Sequence, residues 1–542
     1  MLMRLPDHTS LYLDGRVLDF TGACTSAPEG QVRFELSDGK LTVFVSAPDA
    51  GVRTAGVRWV RLRWDQPMRM GVKVLGDAWE RSYGELGWET VRAGRCMPWY
   101  MAVSNGSDLC RDFSGRLTEC FGVAVRPAAM CMWQYDEAGV TLWMDIRNGG
   151  CGTLLGEREL CCGTVLFADY PEMSAYDALR SFCALMSPAP YKAGHVVYGS
   201  NNWYYAYGKS SAEEILADTR FVADLCRGND NPPYMVIDDG WEPHPINAPW
   251  TQGNEHFPDM AGLAAEMKKL GVRPGIWVRP IIDGENGVRY VDMPGECYLA
   301  YRPNTLDPSH PAVREYVAET IRRLTGWGYE LIKHDYSTFD LFGRWGIQIK
   351  DKICDDGWHF YDRTRTSAEI VTDLYRTIRE AAGGAVIIGC NVIGHLCAGL
   401  HQLNRTGDDT SGFDWQRTVT NGVNTVAFRL CQNGRFFGAD GDCVGIMGRI
   451  DWSLNRRWLK FLSESGTPLF VSCKPDAADE QIRSDLRAAF RRASVARDEM
   501  IPLDWMECAT PHTFLVGDDV NGERVTYDWY PEKGAETFRP GV

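Results

Sequence analysis

Over residues 1–190 apolar positions alternate with polar ones in short runs. Arg16–Phe20, Gln31–Leu36, Leu41–Ser46, Val57–Trp64, Val123–Ala129, Val140–Asp145 and Thr164–Phe167 are alternating or β-branched, and Gly, Pro, Asp and Asn separate them. Such runs predict strands with one buried face, and their number suits an antiparallel β-sandwich. Pro188-Ala189-Pro190 follows; prolines this close continue neither a ladder nor a helix, which predicts a linker.

Beyond the linker, short apolar runs alternate with amphipathic segments, the signature of βα units around a parallel sheet. Eight strands are expected: His195–Asn202, Tyr234–Asp238, Arg273–Val278, Tyr329–His334, Ala385–Cys390, His401–Arg405, Phe436–Ala439 and Pro468–Cys473. Helices are expected at Ser211–Arg227, Met260–Leu270, Pro311–Thr325, Ala368–Ala382, Trp415–Gln432 and Trp452–Ser463. Ser210 to Glu213 and Asp307 to Ser309 read as N-terminal caps, and Gly271, Gly326 and Gly383 as C-terminal stops. Eight units of this size make one TIM barrel. The expected organisation is therefore multidomain. An N-terminal antiparallel β-sandwich spans 1–190. A central (β/α)8 TIM barrel spans 191–498, with Gln481–Arg497 as its last helix, and a short C-terminal β-domain spans 499–542, with strands at Thr513–Val516 and Glu523–Trp529.

Composition narrows the function. The chain of 542 residues has 72 acidic against 57 basic side chains, a net charge of −15. Without a basic run this argues against nucleic acid, whose binding depends on basic patches that release counterions. The start, Met1-Leu-Met-Arg4-Leu-Pro-Asp7, lacks the apolar core of a secretory signal, so a cytoplasmic location is expected. The 18 cysteines then read as reduced thiols, and the absence of any CxxC pair argues against a structural zinc. Gly383 to Asn404 carries no formal charge but holds five Gly with Asn391, His395, His401 and Gln402. It reads as buried strand, loop and strand, so no membrane partner is expected.

In a TIM barrel, chemistry sits at the C-terminal ends of the strands. Three expected strands end in acids: Asp238-Asp239-Gly240-Trp241, Lys333-His334-Asp335-Tyr336 and Arg405-Thr-Gly-Asp408-Asp409-Thr410. One carboxylate at a strand end serves as a helix cap. Several converging on one mouth repel, and a protein that keeps them uses them for acid/base or nucleophilic work. Aromatic residues stand beside them: Trp203, Tyr204, Tyr205 and Tyr207 after the first strand, Trp241 after the second, Trp277 at the end of the third. Clustered acids with aromatic faces and no metal or cofactor fit glycoside hydrolysis.

These motifs, with Gly275-Ile-Trp-Val278 and Pro280, resemble the successive strand-end motifs of glycoside hydrolase family 36 α-galactosidases, with kinship to families 27 and 31. The resemblance covers the barrel well. It extends less specifically to Arg147-Asn-Gly-Gly150, Gly152 to Gly156 and Arg158 in the first domain. It implies a retaining, exo-acting α-galactosidase with an α-galactoside oligosaccharide as its partner, or alternatively an α-N-acetylgalactosaminidase, another α-glycosidase or a transglycosidase of the same clan. It implies Asp335 as nucleophile and Asp409 as acid/base, with Asp408 as the neighbour most easily confused with it. It implies Asp238 and Asp239 as acceptors for the 4- and 6-hydroxyls of galactose, and Lys333, Cys390 and Arg405 beside the sugar. Trp203, Trp241 and Trp277 are expected at the substrate, although Trp241 serves equally as packing below its loop. Arg279 stands where many relatives place Glu, and Asn391 to Cys397 lacks the family's common Ser-Gly-Gly run.

Overall fold

The computed structural model describes residues 3–13, 15–21, 25–47, 56–517 and 522–530. Its N-terminal part holds two antiparallel sheets. One runs in the order Arg16–Thr21, His8–Leu13, Val57–Asp65, Gly139–Asp145, Met130–Asp136, Met97–Pro98. The other runs Ser26–Ala27, Gly30–Ser37, Lys40–Ser46, Leu160–Pro171, Leu117–Val123, Tyr100–Ser104, Lys73–Gly76. Alternation decides which face is buried: in Lys40–Ser46, Leu41, Val43 and Val45 are buried while their neighbours are not. Trp64, Phe121, Trp133 and Phe167 meet edge-on, tilted or stacked in this core. The expected strand Val123–Ala129 is instead the connection between Leu117–Val123 and Met130–Asp136. Arg126 takes a left-handed φ of 58° there, and Pro127 has no N–H for a ladder. A helix, Ala175–Met186, precedes the proline-containing connection.

The second part is a curled parallel sheet of nine strands. Its order is Gly438–Asp440, Leu403–Arg405, Val386–Gly389, Leu331–His334, Arg273–Val278, Tyr234–Ile237, Tyr198–Asn201, Leu469–Cys473, Cys443–Ile446. The eight expected strands are all present, and the seventh is split. Gly438–Asp440 and Cys443–Ile446 form the two edges of the sheet, with only Gly441 and Asp442 between them in the chain.

Helices follow their caps. Ser211 accepts from the Glu214 amide at 3.2 Å, and Thr366 and Glu369 form a reciprocal capping box. Two expected caps differ. His310, with Pro311 as first helical residue, caps Pro311–Gly326, while Asp307 accepts from the Ser309 and Tyr361 amides. Gly326 stays helical, and Gly328 takes the left-handed φ of 104° that ends the helix. The expected helix Trp415–Gln432 is broken into α, π, α and 3-10 turns, with the π segment at Thr418–Asn424. Gly383 to Asn404 contains strand, a short helix and the start of the next strand. Among the described residues no helix is long and apolar enough to cross a membrane.

A three-stranded antiparallel sheet, Ile501–Pro502, Thr513–Val516 and Glu523–Thr526, closes the described chain. Its Phe514, Tyr527 and Trp529 pack edge-on against Phe461. The expected last strand stops at Thr526 rather than Trp529, and the end of the expected β-domain, 531–542, lies outside the described residues.

Candidate active site

A cavity of about 300 Å³ opens at the C-terminal ends of the parallel strands. Asp238, Asp239, Asp335, Asp408 and Asp409 all line it, with Lys333, Arg81, Trp203, Trp277 and Tyr336. The sequence-predicted acids therefore converge. Residues two apart on a strand point the same way, which brings Lys333 and Asp335 to one face.

Asp238 accepts from the Lys333 ammonium at 2.7 Å and from Asn201 at 2.6 Å, and its amide donates to Asn202. Burial alone would discharge Lys333, but Asp238, Cys390 and Asp335 together outweigh it and hold the amine charged. Asp239 is raised by burial; the Ile246 amide donates to it at 2.8 Å, and Glu242 lies against it. Glu242 is fully buried, held by the Gly240 and Ile246 amides, and raised well above the usual carboxyl range by burial and then by Asp239. Two carboxyls in contact without a cation share a proton.

Asp335 accepts from Trp277 Nε1 at 3.1 Å and from the Tyr336 amide at 2.7 Å. Burial raises its carboxyl, opposed first by Lys333 and then by Arg81. Tyr336 pays for this turn with a left-handed φ of 66°, a conformation that costs about 1–2 kcal/mol outside glycine. Behind it Arg279 is buried in a paired contact with Asp340, at 2.9 and 2.5 Å, with its guanidinium 4.2 Å from the Tyr336 ring. The residue that departs from the family pattern thus props the Tyr336 side of the wall.

Asp409 faces two guanidiniums, Arg405 at 3.2 Å and Arg81 at 3.8 Å. Burial pushes its carboxyl up, but Arg405, Arg81 and Lys333 together hold it below the usual range. Asp408 pairs with Arg81 at 3.0 Å and Arg417 at 3.2 Å. Arg405 also reaches Asp442 at 3.2 Å and Cys390 Sγ at 3.7 Å. Arg405 and Cys390 are buried behind the wall rather than lining it. Trp241 is fully buried, donates to the Trp277 carbonyl at 3.0 Å and packs on Trp250 and Trp327. It does not line the cavity; of its two readings, packing is the one its position matches.

Sequence reasoning missed Arg81, Tyr83, Ile246, Trp345, Ile347 and Asp442. Arg81 belongs to a strap from the N-terminal sheets whose Ser82 makes a parallel bridge with Gly407, through Ser82 N–Thr406 O at 2.8 Å and Asp408 N–Ser82 O at 2.9 Å. Its guanidinium is 5.5 Å from the Trp345 ring and 5.8 Å from the Tyr83 ring. No local pattern announces such a contact. Asp442 did leave a signal: Asp440-Gly441-Asp442 is a third acidic pair, at a fourth strand end. It accepts from Tyr204 OH and from Thr410 N at 2.8 Å. Among the described residues no cluster of three or more His, Cys, Asp or Glu is placed to hold a metal.

No family model matches the chain. A curated relative, α-galactosidase AgaA of Geobacillus stearothermophilus, is 29% identical over 135 residues, 22% of this chain and 18% of the relative. Solved structures are similar over most of the length. The α-galactosidase TtGalA of Thermus thermophilus in complex with stachyose matches with a TM-score of 0.58 at 18% identity, covering 89% of this chain and 99% of that one. The family 36 α-galactosidase AgaA in complex with stachyose matches with a TM-score of 0.54 at 14% identity, covering 90% of this chain and 75% of that one. The chain has the fold of these enzymes.

Proposed function

We propose that the protein is a retaining, exo-acting α-galactosidase of glycoside hydrolase family 36. Its parallel sheet is read as a (β/α)8 barrel over 191–498, between a β-sandwich domain over 1–190 and a short β-domain from 499. The observation that carries the reading is the convergence of Asp238, Asp239, Asp335 and Asp409 on one cavity with Lys333 between two of them. That these groups gather in one cavity of about 300 Å³ supports action at the end of a sugar chain.

In this reading Asp335 attacks the anomeric carbon as Asp409 gives its proton to the departing glycosidic oxygen. Asp409, now ionised, then takes a proton from water, which attacks the same carbon and releases galactose with its α configuration retained. Trp277 and the Tyr336 amide hold Asp335 in line. Asp238 and Asp239 accept hydroxyls on one edge of the sugar, and Lys333 fixes Asp238. A site built on such acceptors rejects the wrong epimer strongly.

Hydrolysis of p-nitrophenyl α-galactoside, α-glucoside and α-N-acetylgalactosaminide tests the proposal. Preference for the galactoside over the glucoside by several powers of ten is expected, and comparable rates on the two would replace it with a broad α-glycosidase. Preference for the N-acetyl sugar would select that alternative. NMR of the first-formed sugar should show the α anomer.

A further inference from the structure

The loop after the second parallel strand closes on itself through one amide. Ile246 N–H donates to Asp239 Oδ1 at 2.8 Å and to Glu242 Oε1 at 2.6 Å, so two carboxyls meet at a single donor. The second oxygen of Glu242 accepts from the Gly240 amide at 3.1 Å. The backbone is bent to make this contact. Ile246 takes a left-handed φ of 57°, a region that β-branched residues avoid most strongly, and the Asn247 amide returns to the His244 carbonyl at 2.8 Å. Asn254 holds the same loop through the Gly240 and Glu242 carbonyls, at 2.8 and 3.1 Å. Asp239 and Ile246 line the cavity, whereas Glu242 stands behind them.

Charge decides what this contact is. The charged groups that face the pair are Asp238, which accepts from the Asp239 amide at 3.0 Å, and, beyond it, Lys333, whose ammonium is taken by Asp238 at 2.7 Å. The loop after the first strand approaches Asp239 with Gly208, where a Cβ would stand 3.7 Å from Oδ2. Among the described residues neither Asp239 nor Glu242 forms an ion pair. Two anions at one N–H without a counter-charge repel, and a proton between them removes the repulsion. Glu242 is the more deeply buried, with no exposed surface against 8% for Asp239, so the proton belongs on Glu242. Its carboxyl is raised by burial and then by Asp239. The single negative charge is thereby left on the carboxylate that faces the cavity.

Resting on the proposed function, we infer that Glu242 is a positioning residue for sugar binding: as a neutral acid it donates to Asp239 and holds that carboxylate, together with Ile246, against the sugar. The test reads kcat on p-nitrophenyl α-galactoside and the competitive Ki of galactose in the wild type, Glu242→Gln and Glu242→Met. Gln keeps a donor for Asp239 at every pH and one of the two amide contacts, and Met keeps the length without the donor. A hydrogen bond to a carboxylate is worth about tenfold or more in binding. At neutral pH Ki should therefore rise about tenfold or more in Glu242→Met and stay within about threefold in Glu242→Gln, each by more than kcat falls. Between about pH 7 and 10 the ratio of the wild-type Ki to that of Glu242→Gln should climb as Glu242 ionises, since the catalytic acids are common to both. Asp239→Asn leaves one carboxyl in the pair and should lose the same rise, so the decision does not hang on one variant folding. A constant ratio, equal losses in Glu242→Gln and Glu242→Met, or a rise that persists in Asp239→Asn would overturn this role and leave the α-galactosidase reading standing. A wild type inactive on the galactoside would overturn that reading and the role of Glu242 with it.

Discussion

Arg81 is almost fully buried and faces Asp408 and Asp409 directly, with Asp335 in reach of its charge. In the ligand-free site burial holds the Asp335 carboxyl above its usual value, while Arg405, Arg81 and Lys333 together hold Asp409 below it, the reverse of the order that the proposed nucleophile and proton donor would have. In the proposed mechanism the bell of kcat/KM against pH reports the pair rather than either acid. The other groups around Asp409 are Arg405, Lys333, Asp408, Arg417, Asp442, Tyr204 and Tyr207. Removing one cation at this distance raises a carboxyl by about 1 unit or more. Arg81→Met should therefore move both limbs of the bell to higher pH by about that much, and Arg81→Lys should return them. A loss of rate with both limbs unmoved would reduce Arg81 to packing. Asp409 and Asp408 separate by rescue. Asp409→Ala should spare substrates with good leaving groups and give an α-azide with azide, whereas Asp335→Gly should give the β-azide. If Asp408→Ala behaves as the acid/base variant, the two roles are exchanged.

The strap that carries Arg81 is held as an element. Arg429 bonds Asp77, the Glu80 carbonyl and the Thr406 carbonyl, and Glu80 accepts from the Gly346 amide at 2.8 Å. Its seat depends on Gly407, where a Cβ would lie 1.9 Å from the Asn421 carbonyl of the π segment. That backbone cannot yield as a flexible side chain would. Gly407→Ala should displace the loop of Asp408 and Asp409, cutting activity by at least about a hundredfold and lowering Tm by several degrees, both measurable on one preparation. Glu80 has no exposed surface in its side chain, and burial lifts it to about 7 from 4.5. Its folded value is raised, so its neutral form stabilises the fold fully below about 4.5 and that contribution is lost as pH rises through about 7. Glu80→Gln keeps an acceptor for Gly346 without the charge. Its Tm relative to wild type should climb between pH 4.5 and 7, by an amount on the order of 2–3 kcal/mol in stability. A constant difference across that range would mean that Glu80 stays ionised when docked.

Across the whole molecule, what could be read from sequence was what is written locally. Period-2 and βα texture placed all eight parallel strands, because each buries its own apolar run, and strand-end acids placed five carboxylates around one cavity. Trp241 shows where local signals end, since an aromatic after a strand looks the same whether it faces sugar or Trp250. The split of the seventh strand was hidden for a related reason: Asp440 and Asp442 flank a glycine, and only their partners Arg405 and Thr410 show that the chain turns inward there. Arg81 and Trp345 were beyond reach because their neighbours come from other layers of the fold. The bond from Arg429 to Glu80 spans 349 residues. At roughly 5–20 residues per second a ribosome needs about twenty seconds to a minute to cover that distance. During that interval Glu80 stands in water as an anion at neutral pH, and in the closed strap burial lifts its carboxyl to about 7. Closing the strap therefore favours proton uptake by Glu80, and in a newly made chain it should gain driving force as its surroundings turn acidic.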